Sequence, residues 1–293
     1  MGSCCSNVIR DISQEEFLRL MEQEAVHEDC QIVLAIDATG SNDRTRFGGA
    51  VNYHDISTPA KNVYESVINV AVTLMKQDRD AKVPLFFFGS TQANQDSTHP
   101  GVLYAGEYDV KNGDPTHLLQ AYRENIARQT LDGPTDFRPI LNVIADQVAK
   151  TKNYTLLVII SDGGVNADLS DHLRVLRQIS NLPMAVTCIG IGDGDFTTMQ
   201  KFDDASGRRI DNFQFTRMLD VCSLERLDRM QSYFFYRSFM EVPTHHKLCR
   251  TILGYQPKPE IVPVNRQPSV LMSYRPAPPP LYEVNQPGEE GTM

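Results

Sequence analysis

The sequence predicts an α/β protein built on a doubly wound, mostly parallel sheet with helices on both faces. Three observations carry that prediction. First, Ile32-Val33-Leu34-Ala35-Ile36 is apolar throughout, with three β-branched residues in five. A strand with no polar face is one buried on both sides, in the middle of a parallel sheet. Second, Leu156-Leu157-Val158-Ile159-Ile160 repeats the pattern, and Pro183 to Gly192 gives another run of the same kind. Third, helical spacing of apolar residues fills the intervals, and strands alternating with helices build a doubly wound sheet.

The elements follow in order. Residues 13–24 read as an acidic amphipathic helix, with Ser13 and Glu16 in a capping-box pattern and Phe17, Leu18 and Met21 on one face. After the Ile32–Ile36 strand, Gly48-Gly49-Ala50 turns into a short second strand at Val51-Asn52-Tyr53. A helix from about Pro59 to Lys76 carries Val63, Val67, Val70, Val72 and Leu74 on a wide apolar face. Leu85-Phe86-Phe87-Phe88-Gly89 is the next buried strand, and the polar, Gly-containing residues 90–113 form a loop with room for a short hairpin. Asp114-Pro115 is an N-cap followed by proline at the first helical position, starting a helix that ends near Thr130. The turn Asp132-Gly133-Pro134-Thr135-Asp136-Phe137-Arg138-Pro139 leads into a helix through Ile140, Leu141, Ile144 and Val148. Beyond the Leu156–Ile160 strand come a helix at 169–180, the strand ending at Gly192, a short helix at 196–204 and the strand Asn212–Phe215. A last helix runs from about Ser223 to Met240. The organisation is thus a terminal segment 1–12, a folded domain 13–255 and a Pro-rich tail 256–293, which is expected to be extended and disordered.

Composition narrows the function. The chain has 293 residues, 41% hydrophobic and 22% charged, which is ordinary for a soluble globular protein with a substantial core. A net charge of −9 without a long basic run argues against nucleic acid as a partner, because phosphate binding needs a basic footprint. No apolar run reaches the length of a membrane-spanning helix. Six cysteines without a C-x-x-C or a paired spacing fit a reducing, cytosolic compartment.

The chemistry sits at strand ends. Directly after the first apolar strand come Asp37, Thr39 and Ser41, with Gly40 allowing a tight loop. Three hard oxygen donors so placed suit a small hard cation, Mg²⁺ first. The same residues also read as a strand end whose Asp and Ser cap the following helix. Asp162 repeats the plan after Leu156–Ile160, and the rigid turn between them carries Thr135. In an open α/β sheet the loops at the carboxyl ends of neighbouring strands converge on one crevice, so Asp37, Thr39, Ser41, Thr135 and Asp162 can share one ion.

This combination, D-x-[ST]-x-S with a distant Thr and a more distant Asp, resembles the metal-ion-dependent adhesion site of the von Willebrand factor A fold, a Rossmann-like architecture. Asp37-Ala38-Thr39-Gly40-Ser41-Asn42 and Gly133-Pro134-Thr135-Asp136-Phe137 with Pro139 narrow the resemblance to copine-type A domains. Ile189-Gly190-Ile191-Gly192-Asp193-Gly194-Asp195-Phe196 and Asp211-Asn212-Phe213-Gln214-Phe215 look most like the plant RING-copine ubiquitin ligases. The resemblance covers about residues 30–255 and implies Mg²⁺ or Mn²⁺ at the five oxygen-bearing residues, with a protein ligand offering a carboxylate to the metal. It has limits: fewer than 30 residues precede the A domain, where copines carry calcium-dependent lipid-binding domains, and no cysteine follows Cys249 to build a RING. Calcium-dependent lipid binding and direct ligase activity are therefore not carried over. The residues also offer no Walker A pattern and no G-x-S-x-G elbow, so no enzyme activity is expected. His245, His246 and Cys249 lack a fourth zinc ligand nearby and read as an exposed helix end.

Both termini carry short motifs. Met1-Gly2-Ser3-Cys4-Cys5-Ser6 matches the N-myristoylation pattern at Gly2, and the adjacent Cys4 and Cys5 supply palmitoylation sites. One acyl chain anchors marginally and a second makes the anchor stable. In the tail, Pro279-Pro280-Leu281-Tyr282 matches P-P-x-Y, with Pro279, Pro280 and Tyr282 the contacts a WW domain reads; it reads equally as a solvated linker. The expectation is a Mg²⁺-dependent protein-binding adaptor tethered to the cytoplasmic face of a membrane, the plasma membrane first. The alternative is a component of ubiquitin transfer that recruits a ligase through its tail.

Overall fold

The computed structural model describes residues 12–58, 62–75, 80–95, 99–165 and 168–256. The lipidation residues Gly2, Cys4 and Cys5 and the tail residues Pro279, Pro280 and Tyr282 lie outside them. Six strands form one sheet: β1 (Cys30–Asp37), β2 (Lys82–Phe88), β3 (Val102–Asp109), β4 (Tyr154–Ser161), β5 (Met184–Gly190) and β6 (Phe213–Arg217). Their order is β3-β2-β1-β4-β5-β6; only β3 runs antiparallel to its neighbour. The helices are α1 (Gln14–Gln23), α2 (Val26–Asp29), α3 (Val63–Met75), α4 (Thr91–Gln95), α5 (Thr116–Ile126), α6 (Arg138–Thr151), α7 (Leu169–Ile179), α8 (Thr197–Asp203), α9 (Met218–Val221), α10 (Leu227–Phe239) and α11 (Val242–Ile252).

The apolar runs sit where their composition requires. All of β4 is buried, with parallel neighbours on either side and helices above and below. Val33, Ala35, Leu157 and Ile159 face one layer and pack against Ile140, Ile144 and Leu176 of α6 and α7. Residues alternate across a strand, so the equally buried Ile32, Leu34 and Ile36 face the opposite layer, where α3 packs on α10 and α10 on β5 and β6. Each Val, Leu or Ile among them contributes roughly 1.5–3 kcal/mol by leaving water. In α1, Ser13 accepts from the Glu16 amide at 3.1 Å, but the Glu16 carboxylate turns to Arg19, so only half of the capping box forms.

The structure corrects four expectations. Val51–Tyr53 is no strand of the sheet: the segment makes a single bridge, Asp43 with Asn52, and the place beside β1 is taken by β2, with β3 outside it at the edge. Residues 90–113 are not mainly loop, since they hold α4 and the eight-residue edge strand β3. A register shift opposite Leu85 and Phe86 breaks the alternation of β3, which hid it in the sequence. The last predicted helix starts at Leu227 after a 3₁₀ turn, and a further helix, α11, follows it. Pro243 lies in the first turn of α11, where its missing N–H is not needed, so it opens a new helix. His245, His246 and Cys249 consequently lie in a buried helix face and not at an exposed end. His246 Nε2 is 2.9 Å from Asp29 Oδ1, and His245 Nδ1 is 3.0 Å from the Tyr154 hydroxyl.

The strand order also makes the crevice. From β1 the chain crosses through α3 to β2 on one side, and from β4 through α7 to β5 on the other. The loops after β1 and β4 therefore leave in opposite directions, which opens a cleft between their carboxyl ends.

Candidate metal centre

Asp37 is the last residue of β1 and is fully buried. Its Oδ1 accepts from the Thr39 amide at 2.9 Å and its Oδ2 from the Ser161 hydroxyl at 2.5 Å. Thr39 Oγ1 lies 3.0 Å from Ser41 Oγ and 3.4 Å from Thr135 Oγ1. Ser41 donates to Asp162 Oδ1 at 2.9 Å. The structure thus brings Asp37, Thr39, Ser41, Thr135 and Asp162 into one cluster from three loops. The loops are stitched by backbone: Ala38 N donates to Phe88 O at 2.8 Å and Gly40 N to Asp132 O at 2.9 Å. Two glycines permit the close approach. Gly89 has φ +81° and a Cβ there would run into Thr39 Cγ2; Gly133 has φ +61° and a Cβ would meet Gly89 O at 2.7 Å.

A second layer holds the cluster still. His54 Nε2 donates to the Asp37 carbonyl at 2.8 Å, because a carbonyl can only accept. His54 Nδ1 must then accept, and it does so from the Tyr122 hydroxyl at 2.8 Å. Burial pulls the His54 pKa down to about 4 against the pull of the Asp37 carbonyl, so the ring is neutral. Tyr64, stacked on His54, donates to Asn42 Oδ1 at 2.6 Å, and Asn42 Nδ2 reaches the Thr39 carbonyl at 3.3 Å. On the Thr135 side, Arg138 grips Asp136 with Nη2–Oδ2 at 2.7 Å, and His172 Nε2 lies 3.0 Å from Asp136 Oδ1. Burial resists ionisation of Asp136, but the bonds from His172 and Arg138 overcome it and hold its carboxyl well below the usual range.

The electrostatics of the cluster are those of a site short of positive charge. Burial raises the Asp37 pKa, only partly opposed by the bonds from Ser161 and Thr39. Burial, and then the neighbouring Asp37 charge, push Asp162 up to about 7; the Ser41 bond and the Arg44 charge act the other way. Asp162 Oδ2 is buried with no hydrogen-bond partner. An orphaned carboxylate oxygen beside a second carboxylate and three hydroxyls is a donor set of hard oxygens, which fits Mg²⁺ or Mn²⁺ and not a soft cation. Among the described residues no three His, Cys, Asp or Glu side chains gather to hold a metal, so hydroxyls must complete any coordination here. A cavity of about 250 Å³ opens over the cluster, lined by Ser41, Thr135, Asp162, Arg44, Gly163 and Asp195 among others.

Sequence reasoning missed several residues of this site. Ser161 adjoins Asp162, Asn42 closes the Asp37–Asn42 motif and Arg44 lies two residues beyond it, so proximity in sequence was a signal for all three. His54, Tyr64 and Tyr122 had none, because they arrive from distant segments. Among the described residues no helix is long and apolar enough to cross a membrane.

The copine family model matches residues 52–258. Curated relatives include the E3 ubiquitin-protein ligase RGLG1 of Arabidopsis thaliana, 32% identical over 75% of this chain and 47% of the relative. RGLG5 of the same plant is 29% identical over 75% of this chain and 54% of the relative. Copine family protein 2 of Caenorhabditis elegans is 28% identical over 77% of this chain and 3% of the relative. The chain spans about half the length of the first two. Among solved structures, the SpRpn10 VWA domain matches at 15% identity with a TM-score of 0.44, covering 65% of this chain and 88% of that one.

Proposed function

The chain belongs to the copine family, and we propose that it is a protein-binding module whose strand-end cluster takes Mg²⁺ or Mn²⁺ to dock an acidic side chain of a protein ligand. The observation that carries this reading is the buried, unpartnered Oδ2 of Asp162, whose Oδ1 accepts from Ser41 within the cluster of five oxygen-bearing side chains. Asp37 and Asp162 would hold the ion with Thr39, Ser41 and Thr135, sharing it with water, since Mg²⁺ keeps several waters. A cation held by only two carboxylates retains affinity for a further carboxylate from outside. Asp37, Thr39 and Ser41 sit on a loop locked by His54 and Tyr64, so they are oriented before the ion arrives. The cluster's serines spend their hydrogens on its carboxylates, Ser161 on Asp37 and Ser41 on Asp162, and His54 is engaged at both nitrogens, which favours ligation over base catalysis. This supports docking as the role. Titration calorimetry tests it: Mg²⁺ binding is expected in the wild type and lost in Asp37→Ala, and equal affinity in the two proteins sinks the assignment.

The tether belongs to the same reading. Gly2 would carry a myristoyl chain and Cys4 and Cys5 palmitoyl chains, placing the module at the cytoplasmic face of a membrane.

A second reading is favoured by the relatives named E3 ubiquitin-protein ligases. In it the module acts in ubiquitin transfer by presenting cargo, while Pro279, Pro280 and Tyr282 recruit a WW-containing ligase. Autoubiquitination by the purified chain with no ligase added would defeat the first reading and the recruiting role alike, whereas ubiquitination of a bound protein only when a WW-domain ligase is added, and its loss in Tyr282→Ala, would favour the second.

A further inference from the structure

We infer that the ligand of the metal site presents two acidic side chains, one for the metal and one read by Arg44. The inference rests on the proposed metal site and asks what else enters its cavity. A lone carboxylate does not fill about 250 Å³. The space continues past Asp162 to Arg44 and Thr198, and among the described lining residues Arg44 alone carries positive charge.

Arg44 is held ready. Its amide donates to Val51 O at 3.0 Å and its carbonyl accepts from Gly49 N at 2.9 Å, so the backbone is tied on both sides. Its guanidinium lies over the Tyr53 ring, 5.3 Å from the centroid, a cation–π contact that helps hold it at the rim. One arm, Nη1, pairs with Asp193, whose carboxylate also accepts from the Tyr53 hydroxyl at 3.2 Å. Asp193 is the acid this chain itself offers to Arg44, and it is poorly buried, with its side chain 65% exposed. Exposed pairs of this kind contribute little to stability, so an incoming acid can take Asp193's place at small loss. The guanidinium fork then offers two parallel donors to the new carboxylate. The other acids facing the cavity do not compete: Asp162 belongs to the metal cluster, and Asp195 caps α8 by accepting from Thr197 N at 2.9 Å and Thr197 Oγ1 at 2.6 Å.

The test is selection of a random dodecapeptide display library on the full chain, with Mg²⁺ and with EDTA. Mg²⁺-dependent binders of the wild type are expected to carry two acids at a constant spacing. Binders of Arg44→Gln are expected to carry one. A synthetic peptide from the wild-type selection should lose about tenfold in affinity when its second acid becomes Gln, and Arg44→Gln should abolish that difference. Arg44→Lys should restore part of it, and Asp193→Asn should strengthen binding. Calorimetry should find Mg²⁺ affinity in Arg44→Gln no weaker than in the wild type. If both proteins select a single acid, or the tenfold difference survives Arg44→Gln, the role of Arg44 is overturned and the metal site stands. If no acid is enriched with Mg²⁺ over EDTA, the docking function itself falls and this inference with it.

Discussion

Asp162 shows how much of this molecule rests on single groups. Its folded pKa of about 7 stands above the ordinary 3.8 because burial and Asp37 disfavour its charge. Between those values the folded chain binds a proton that the unfolded chain releases, so without metal the group's contribution is present at low pH and lost as pH rises through about 7. Asp203, also pushed up to about 7 by burial and Asp211, follows the same direction. His54 and His245, lowered by burial to about 4 and about 3, run the other way, gaining stability as pH rises toward 6.5. Comparison with Asp162→Asn isolates the one group. In EDTA the two proteins should melt together near pH 3, and the wild type should fall progressively below the variant from about pH 4 to pH 8. Millimolar Mg²⁺ should raise the wild type more at pH 8 than at pH 6, since proton and metal compete, and should leave Asp162→Asn unmoved. A wild type that melts higher than the variant in EDTA at pH 8 contradicts the assignment. Gly89→Ala tests the packing of the same loops: its φ of +81° and the approach of Thr39 predict a loss of about 1–3 kcal/mol in urea unfolding, together with weakened Mg²⁺ binding.

At the scale of elements, α11 ties the far end of the sheet together. Tyr255, just beyond it, donates to Asp29 Oδ2 at 2.8 Å and accepts from the Tyr154 amide at 3.2 Å, linking α2, β4 and the end of the helix. Tyr255→Phe leaves those buried groups unpaired and should cost about 1–3 kcal/mol in urea unfolding without changing Mg²⁺ affinity, because the metal cluster lies at the opposite, carboxyl ends of the strands. Ile144→Ala, in the buried face of α6, should cost roughly 2–5 kcal/mol by leaving a cavity. These elements differ in how far the sequence disclosed them. The strands β1, β4 and β5 were legible because burial on both faces demands unbroken apolar runs. The edge strand β3 was not, since one of its sides meets solvent and a register shift breaks its period. The helix α11 was concealed by its polar residues: two histidines and a cysteine look like surface until α2 and β4 supply their partners.

For the whole molecule, the proposed function joins a rigid docking face to a lipid tether and a recruiting tail. Linking such sites in one chain raises effective concentration without any new contact. Gly2→Ala should move the protein from the membrane fraction to the soluble fraction in cells. Cys4→Ser with Cys5→Ser should leave weak, reversible binding, as one acyl chain remains. Persistent pelleting of Gly2→Ala would mean a different anchor. A peptide of residues 272–286 should bind WW domains and lose that binding in Tyr282→Ala; if the change has no effect, the tail is a linker.

The sequence by itself determined the layered α/β architecture and the order of the oxygen-bearing loops. Both are written locally, in apolar runs of strand length and in short motifs that begin where those runs end. Only the tertiary structure decided what those loops become. The sheet order puts β1 beside β4, so Asp37 and Ser161 meet across 124 positions of sequence, and Ser41 and Asp162 across 121. It brings His54 and Tyr64 beneath the Asp37 carbonyl and lays Arg44 on Tyr53 at the rim. Burial then raises the pKa of the two carboxylates and strands one oxygen of Asp162, the features on which the proposed cation site rests. Desolvation and partner geometry depend on which distant segments pack together, and a residue's type carries neither.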